Sequence, residues 1–309
     1  MKFAVIGDAF VDGMIGPIDQ LPSWGNDVII PHSIEWLAGG SSINTALYLK
    51  SLGHEVTWYG AIGEDDHGSF LQKTLEDSGI VFKGSVLKTT STGTCLVLIG
   101  ASDRAFLTHG GATTLFTIQD ILLSEIKKMD HVHIAGYYNC RSLHTDLPSF
   151  CQEIQSAGVT ISCDPNGDGE QKWTCINTIW SYIDVLLPNE IEAMGMTGAT
   201  KVEDASTILS RTIPLVVITC GNKGVVVGGS QYEIRIQHEA IPISNIVDPT
   251  GAGDAFDAGF LHGWKTSGVV QEGIKIGLSL AYFVLGHRGA SNVRPCLDEI
   301  KEMYKDEIK

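Results

Sequence analysis

The chain has 309 residues, 43% of them apolar and 18% charged, with 36 acidic against 21 basic side chains and a net charge of −15. That is enough apolar material for a sizeable core, and too acidic, with no cluster of Lys and Arg, for a surface that grips nucleic acid or an anionic membrane. Seven scattered cysteines without a CxxC pair argue against a disulfide framework, and no apolar run reaches the ~20 residues of a membrane span, so a cytoplasmic protein with reduced thiols is expected.

In chain order, short β-rich runs alternate with helical patterns, which predicts an α/β fold with a mostly parallel sheet covered by helices. Strands are expected at Lys2–Gly7, Val56–Ile62, His131–Ala135, Val159–Asp164, Val185–Leu187 and Leu215–Thr219, and helices at Ser42–Ser51, His67–Asp77, Ile118–Lys128 and Thr145–Ser156. Two regions break the alternation. Asp8–Leu37 carries Pro17, Pro22 and Trp24 among short β-like pieces, and Thr94–Ile99 with Arg104–Thr108 reads as a hairpin around Ala101, Ser102 and Asp103. No repeat, low-complexity segment or long polar linker divides the chain, which reads as one unit, 1–309, with an insertion.

The chemistry-bearing residues fall at strand ends and helix starts. Asp8 and Asp12 flank the end of the first strand; Asp8 reads as a turn residue, Asp12 as a partner for ligand hydroxyls. AGGSSINTALYLKSLG, 38–53, places Gly39 and Gly40 before two Ser that can cap a helix, with Asn44 on its first turn. Asn189 and Glu192 follow the apolar run DVLL, where open α/β sheets bind ligands beyond their strand ends. By themselves they read as a helix cap and its first-turn acid. TCGNKG, 219–224, follows LVVI and reads equally as a hairpin turn. In DPTGAGDAFDAGF, 248–260, Gly251, Ala252 and Gly253 open a helical pattern, so their N–H groups can converge on one oxyanion, and Asp254 sits where a hydroxyl can reach it. A carboxylate beside such an anion hole suits phosphoryl transfer; the plainer reading is a βα turn with a capping acid. Neither GxGxxG after the first strand nor GxxxxGK[ST] is present. Arg104, His109, Tyr137 and Tyr138 are candidates to line an acceptor site, although an aromatic near a sheet edge is more often core. His131 and His133 lack paired ligand spacing and read as structural.

The 38–53 and 248–260 stretches together resemble the two signature regions of the ribokinase-like (PfkB) carbohydrate kinases, from about Phe3 to about Arg294. The resemblance implies a three-layer α/β/α core with a mostly parallel central sheet and a small β-sheet lid, at about 9–37 and 92–111. It implies Asp254 as general base, Gly251–Gly253 as anion hole, and Asp12, Gly39, Gly40 and Asn44 on a sugar, with Arg104 at the lid edge. Asn189 and Glu192 match an NxxE motif that arranges Mg2+ through water, and Thr219, Gly221 and Gly224 match a TxGxxG nucleotide loop. Asp248 and Thr250, with GHRGASN at 286–292, resemble a loop pair that holds a monovalent cation such as K+. DPNGDGEQKW, 164–173, is similar to a DPNxR…W loop, with Asp168 where Arg is frequent, so a neutral acceptor is favoured over an anionic one. The implied activity is ATP- and Mg2+-dependent transfer to the hydroxymethyl of a ribose- or fructose-like sugar. An adenosine-type nucleoside kinase and a non-catalytic sensor are the alternatives, and a homodimer through the lid is expected.

Overall fold

The computed structural model describes residues 1–18, 20–30, 32–100, 104–229, 246–300 and 302, with the backbone alone for 232–236. The chain begins with β1 (Lys2–Gly7), β2 (Phe10–Ile15), β3 (Glu35–Gly39), α1 (Ser41–Ser51), β4 (Glu55–Tyr59), β5 (Ala61–Gly63), α2 (Asp66–Asp77), β6 (Val81–Phe82) and β7 (Ser85–Leu87). The hairpin strands β8 (Gly93–Ile99) and β9 (Arg104–His109) follow, then α3 (Leu123–Ile126), β10 (His131–Ala135), α4 (Leu147–Ser156), β11 (Thr160–Asp164) and β12 (Val185–Leu186). The remainder is α5 (Glu190–Thr197), α6 (Val202–Leu209), β13 (Leu215–Thr219), β14 (Val225–Gly229), β15 (Tyr232–Ile236), α7 (Ala252–Ser267) and α8 (Val270–Leu285).

Nine strands form the central sheet in the order β15-β14-β13-β12-β11-β10-β1-β4-β6. Pairing is parallel from β6 through β13 and antiparallel for β13–β14 and β14–β15. Side chains alternate across it, and each face packs under its own helices. Phe3 and Val5 join buried residues of α1, α2, α7 and α8, whereas Ala4 and Ile6 join those of α4, α5 and α6. A second sheet, β3-β2-β8-β9, draws its strands from the two irregular regions of the sequence, with a small core of Met14, Cys95 and Val97. All seven cysteines are free and five are buried, Cys95, Cys163 and Cys220 among them.

Two expected elements differ. The helix expected at Ile118–Lys128 is a 3-10 turn, Ile118–Asp120, followed by the short α3. Asp120 folds back to accept from Thr117 N and Oγ1, and Ile121 then leaves in extended backbone to reach the core, so the periodic pattern is cut after one turn. The strand expected over Val56–Ile62 breaks at Gly60 into β4, in the central sheet, and β5, which pairs with β7. The hairpin forms with Thr94 opposite His109 and Ile99 opposite Arg104; its turn at Ala101, Ser102 and Asp103 lies outside the described residues. No helix among the described residues is long and apolar enough to cross a membrane.

Candidate active site

Asp254 lies on the first turn of α7, where α7 meets α1 beyond the ends of the central strands. Gly251 precedes it in the left-handed region at φ 76, and a Cβ there would lie 2.2 Å from the Ala290 Cβ. Only glycine fits that turn without strain. No side chain among the described residues caps α7, so its first N–H groups stay at the positive end of a 16-residue helix, directed away from its own ladder. Gly253 is exposed, and a Cβ on it would meet no heavy atom within 4 Å. Gly251, Ala252 and Gly253 therefore form an open, side-chain-poor cradle next to the carboxylate.

The Asp254 carboxylate is held from α1. Ser41 Oγ donates to Oδ1 at 2.6 Å and Asn44 Nδ2 to Oδ2 at 2.7 Å. Burial pushes the Asp254 pKa up, and these two hydrogen bonds oppose the shift. Ser41 Oγ also lies 3.0 Å from Asp164 Oδ2. One hydroxyl hydrogen cannot serve two carboxylates, so the arrangement is satisfied when Asp164 carries a proton, donates it to Ser41, and Ser41 donates to Asp254. Burial first, then the charges of Glu192 and Asp254, hold Asp164 well above the usual carboxylate range, as this requires. In that arrangement Asp254 is the carboxylate that accepts from both Ser41 and Asn44.

Around Asp254 are further acceptors. The Asn44 amide must turn its NH2 to the carboxylate, which leaves Oδ1 buried without a hydrogen-bond partner. Asp12, in the middle of the lid sheet on β2, lies against Gly39: a Cβ on Gly39 would be 2.2 Å from Asp12 Oδ2. Burial, then the charges of Asp8, Asp254 and Asp248, pushes Asp12 up to about 7. Asp8 is more than a turn residue. Its Oδ1 accepts from Ser42 N at 3.0 Å, capping α1 in place of Gly40, which carries no side chain, and its Oδ2 accepts from Asn139 Nδ2 at 2.9 Å.

The two remaining motifs are adjacent to each other. Asn189 bridges to Thr219 in parallel register, and Thr219 N donates to Pro188 O at 3.0 Å. Asn189 Oδ1 accepts from Ile191 N and Glu192 N, and Glu192 Oε2 accepts from Asn189 N at 2.9 Å, a capping box that opens α5. Thr219 to Gly224 is the hairpin connection between β13 and β14, with positive φ at Gly221 and Gly224. Glu192 is buried, and burial drives its pKa upward, with the charge of Asp254 adding to the shift. Such a carboxylate, paired with no cation among the described residues, fits a water-held dication, which needs only one or two protein oxygens. Among the described residues no three His, Cys, Asp or Glu side chains group to bind a metal directly.

A family model for the pfkB family of carbohydrate kinases matches residues 3–296. This chain belongs to that family. Fructokinase-1 of Zea mays is 29% identical over 237 residues, 71% of each chain. The cytidine kinase of Thermococcus kodakarensis is 39% identical over 137 residues, 43% of this chain and 48% of its own length. The structure of Arabidopsis thaliana ribokinase complexed with ribose and ATP shares the fold, with a TM-score of 0.82 at 24% identity over 98% of both chains. The chain is thus a phosphotransferase with an alcohol acceptor on a ribokinase-like α/β fold.

In this pfkB-family kinase several side chains sit elsewhere than the sequence suggests. Arg104, expected on the acceptor, donates through Nη1 to Thr250 Oγ1 at 2.6 Å and pairs with Asp248 at 3.4 Å. Asp168, expected to repel anionic acceptors, is a loop organiser: it accepts from Glu170 N at 3.0 Å and from Lys172 N and Trp173 N, both at 2.7 Å. Charge at Asp168 therefore carries no argument about the acceptor. Asp168→Arg is expected to leave the ratio of kcat/KM for neutral and anionic acceptors unchanged, while lowering thermal stability by about 1 kcal/mol as the loop loses these bonds. Tyr137 and Tyr138 are buried in the core, Tyr137 stacked on His144. His131 bonds to Thr160 and Ser162, and His133 to Ser162, as structural residues do. Ser41, Asp164 and Asn139 were not expected to act at the site. The one sequence signal for Ser41 was its place between the Gly pair and Asn44, and there it reads as a cap.

Proposed function

We propose that this kinase transfers the γ-phosphoryl group of ATP to the hydroxymethyl of a neutral, ribose- or fructose-like sugar, with Asp254 as general base. What supports the acceptor class is the polar edge around the base: Asp12, the orphan Asn44 Oδ1 and Asp254 all accept, and a polyol supplies O–H donors to each. An anionic acceptor would bring its charge against Asp8, Asp12 and Asp254. The phosphates face Gly251–Gly253, while Thr219, Gly221 and Gly224 border the nucleotide. Glu192, fixed by the capping box it forms with Asn189, would hold Mg2+ through water, and the ion would supply neutralisation of charge on the transferred group. Asp254 takes the hydroxyl proton, and Gly39 and Gly40 admit the sugar close to the backbone. The whole chain acts as one kinase domain under its lid. Free thiols support a cytoplasmic location, and the exposed Trp36, Phe106 and Leu107 on the lid strands support a homodimer through that sheet.

The test is ADP release with ATP and a panel of ribose, fructose, their phosphates, adenosine and cytidine. A neutral sugar is expected to give the highest kcat/KM. Turnover confined to nucleosides would assign the acceptor to that class instead, and ligand binding without ADP release would leave a sensor.

A further inference from the structure

We infer that in this chain Arg104, reaching over from the lid, takes the place of a monovalent cation beside the phosphate cradle. The inference rests on reading Gly251–Gly253 as that cradle. The two side chains that would help hold such a cation are already engaged by hydrogens. Asp248 is buried; its Oδ1 accepts from Thr250 N at 2.9 Å and Thr250 Oγ1 at 2.7 Å, and its Oδ2 from Gly289 N at 3.0 Å. Thr250 Oγ1 spends its hydrogen on Asp248 and accepts from Arg104 Nη1 at 2.6 Å. A cation needs oxygen lone pairs turned toward it, whereas each of these oxygens meets an N–H or O–H. The positive charge is present, on the guanidinium, 3.4 Å from Asp248 Oδ1.

Arg104 begins β9 of the lid sheet, and Thr250 immediately precedes the left-handed Gly251, so this contact joins the lid to the turn that shapes the cradle. A second arginine joins the same two regions in the opposite direction. Arg288, in the loop after α8, lies 3.6 Å from Glu35 Oε2 and donates to Gly16 O at 3.4 Å, next to Gly289, whose N–H binds Asp248. Arginine is always charged, and its Nη1 meets Thr250 and Asp248 together, a contact that a mobile hydrated ion would have to be desolvated to match. Seating of the lid and order of the turn thereby become one event.

The experiment measures ATP-dependent turnover and thermal unfolding in choline, Na+ and K+ chloride at equal ionic strength. Wild type is expected to run at rates within about twofold across the three salts and to unfold at the same temperature, since its fixed charge is already in place. Arg104→Ala is expected to lose about tenfold or more in kcat/KM for ATP and to regain part of it, with a rise in Tm, in K+ but not in choline. Arg104→Lys keeps a charge and is expected to stay insensitive to K+. Severalfold K+ activation of wild type overturns the inference, as does an Arg104→Ala enzyme equally slow in every salt or as fast as wild type. Gly253→Val in the same assays checks the cradle separately, because unchanged ATP kinetics there would remove the cradle whatever the salt series shows.

Discussion

Asp254→Asn is expected to lower kcat by about a hundredfold or more, the size of losing a positioned general base, with nucleotide and acceptor still bound. The amide keeps the shape of the carboxylate and can accept from Ser41 Oγ. It presents an NH2 toward the Asn44 NH2, so one of the two contacts that orient the side chain is lost. Neither amide nitrogen can take the substrate proton. Single-turnover rates with saturating ATP and acceptor, beside calorimetric titration of each ligand, separate chemistry from binding. A kcat within a few-fold of wild type would remove Asp254 from the chemistry.

The second large effect concerns the cradle, where two glycines make opposite demands. Gly253→Val is expected to leave the fold intact, since a Cβ there meets nothing within 4 Å, and to cut kcat/KM for ATP by about tenfold or more by filling the space a phosphate oxygen needs. Gly251→Ala is expected to act on folding. Its φ of 76 carries a cost of about 1–2 kcal/mol for any side chain, and its Cβ would strike Ala290, which moves the loop that holds Asp248. Thermal unfolding and ATP kinetics on both variants give the contrast: loss of activity at unchanged Tm for Gly253→Val, and a lowered Tm for Gly251→Ala. Unchanged ATP kinetics in a folded Gly253→Val protein would place the phosphates elsewhere.

The strands β1 and β13 were legible to the residue because each is an apolar run bounded by turn residues, the mark of a strand buried on both faces, and β10 was legible although His131 and His133 alternate with its apolar residues. The glycine turn before α7 was equally legible, since the positive φ of Gly251 calls for a residue without a side chain. The sequence alone determined an acidic α/β chain with a glycine turn at a helix start and a neighbouring carboxylate. Tertiary structure decided everything that depends on partners distant in the chain. Asn44 is a sugar-hydroxyl candidate in the sequence, yet its NH2 is committed to Asp254, 210 residues away, and its carbonyl oxygen is left buried without a partner. Asp8 became the cap of α1 because Gly40 offers none. Arg104 and Asp168 show why residue type misleads when the acceptor of a hydrogen bond is unknown. Both are charged and lie on loops or lid, and both satisfy that charge on the protein itself, one on Asp248 and Thr250, the other on three backbone N–H groups. Periodicity reports which side chains leave water. It is silent on which polar atoms meet once they have, and at this site those meetings set protonation, charge and shape.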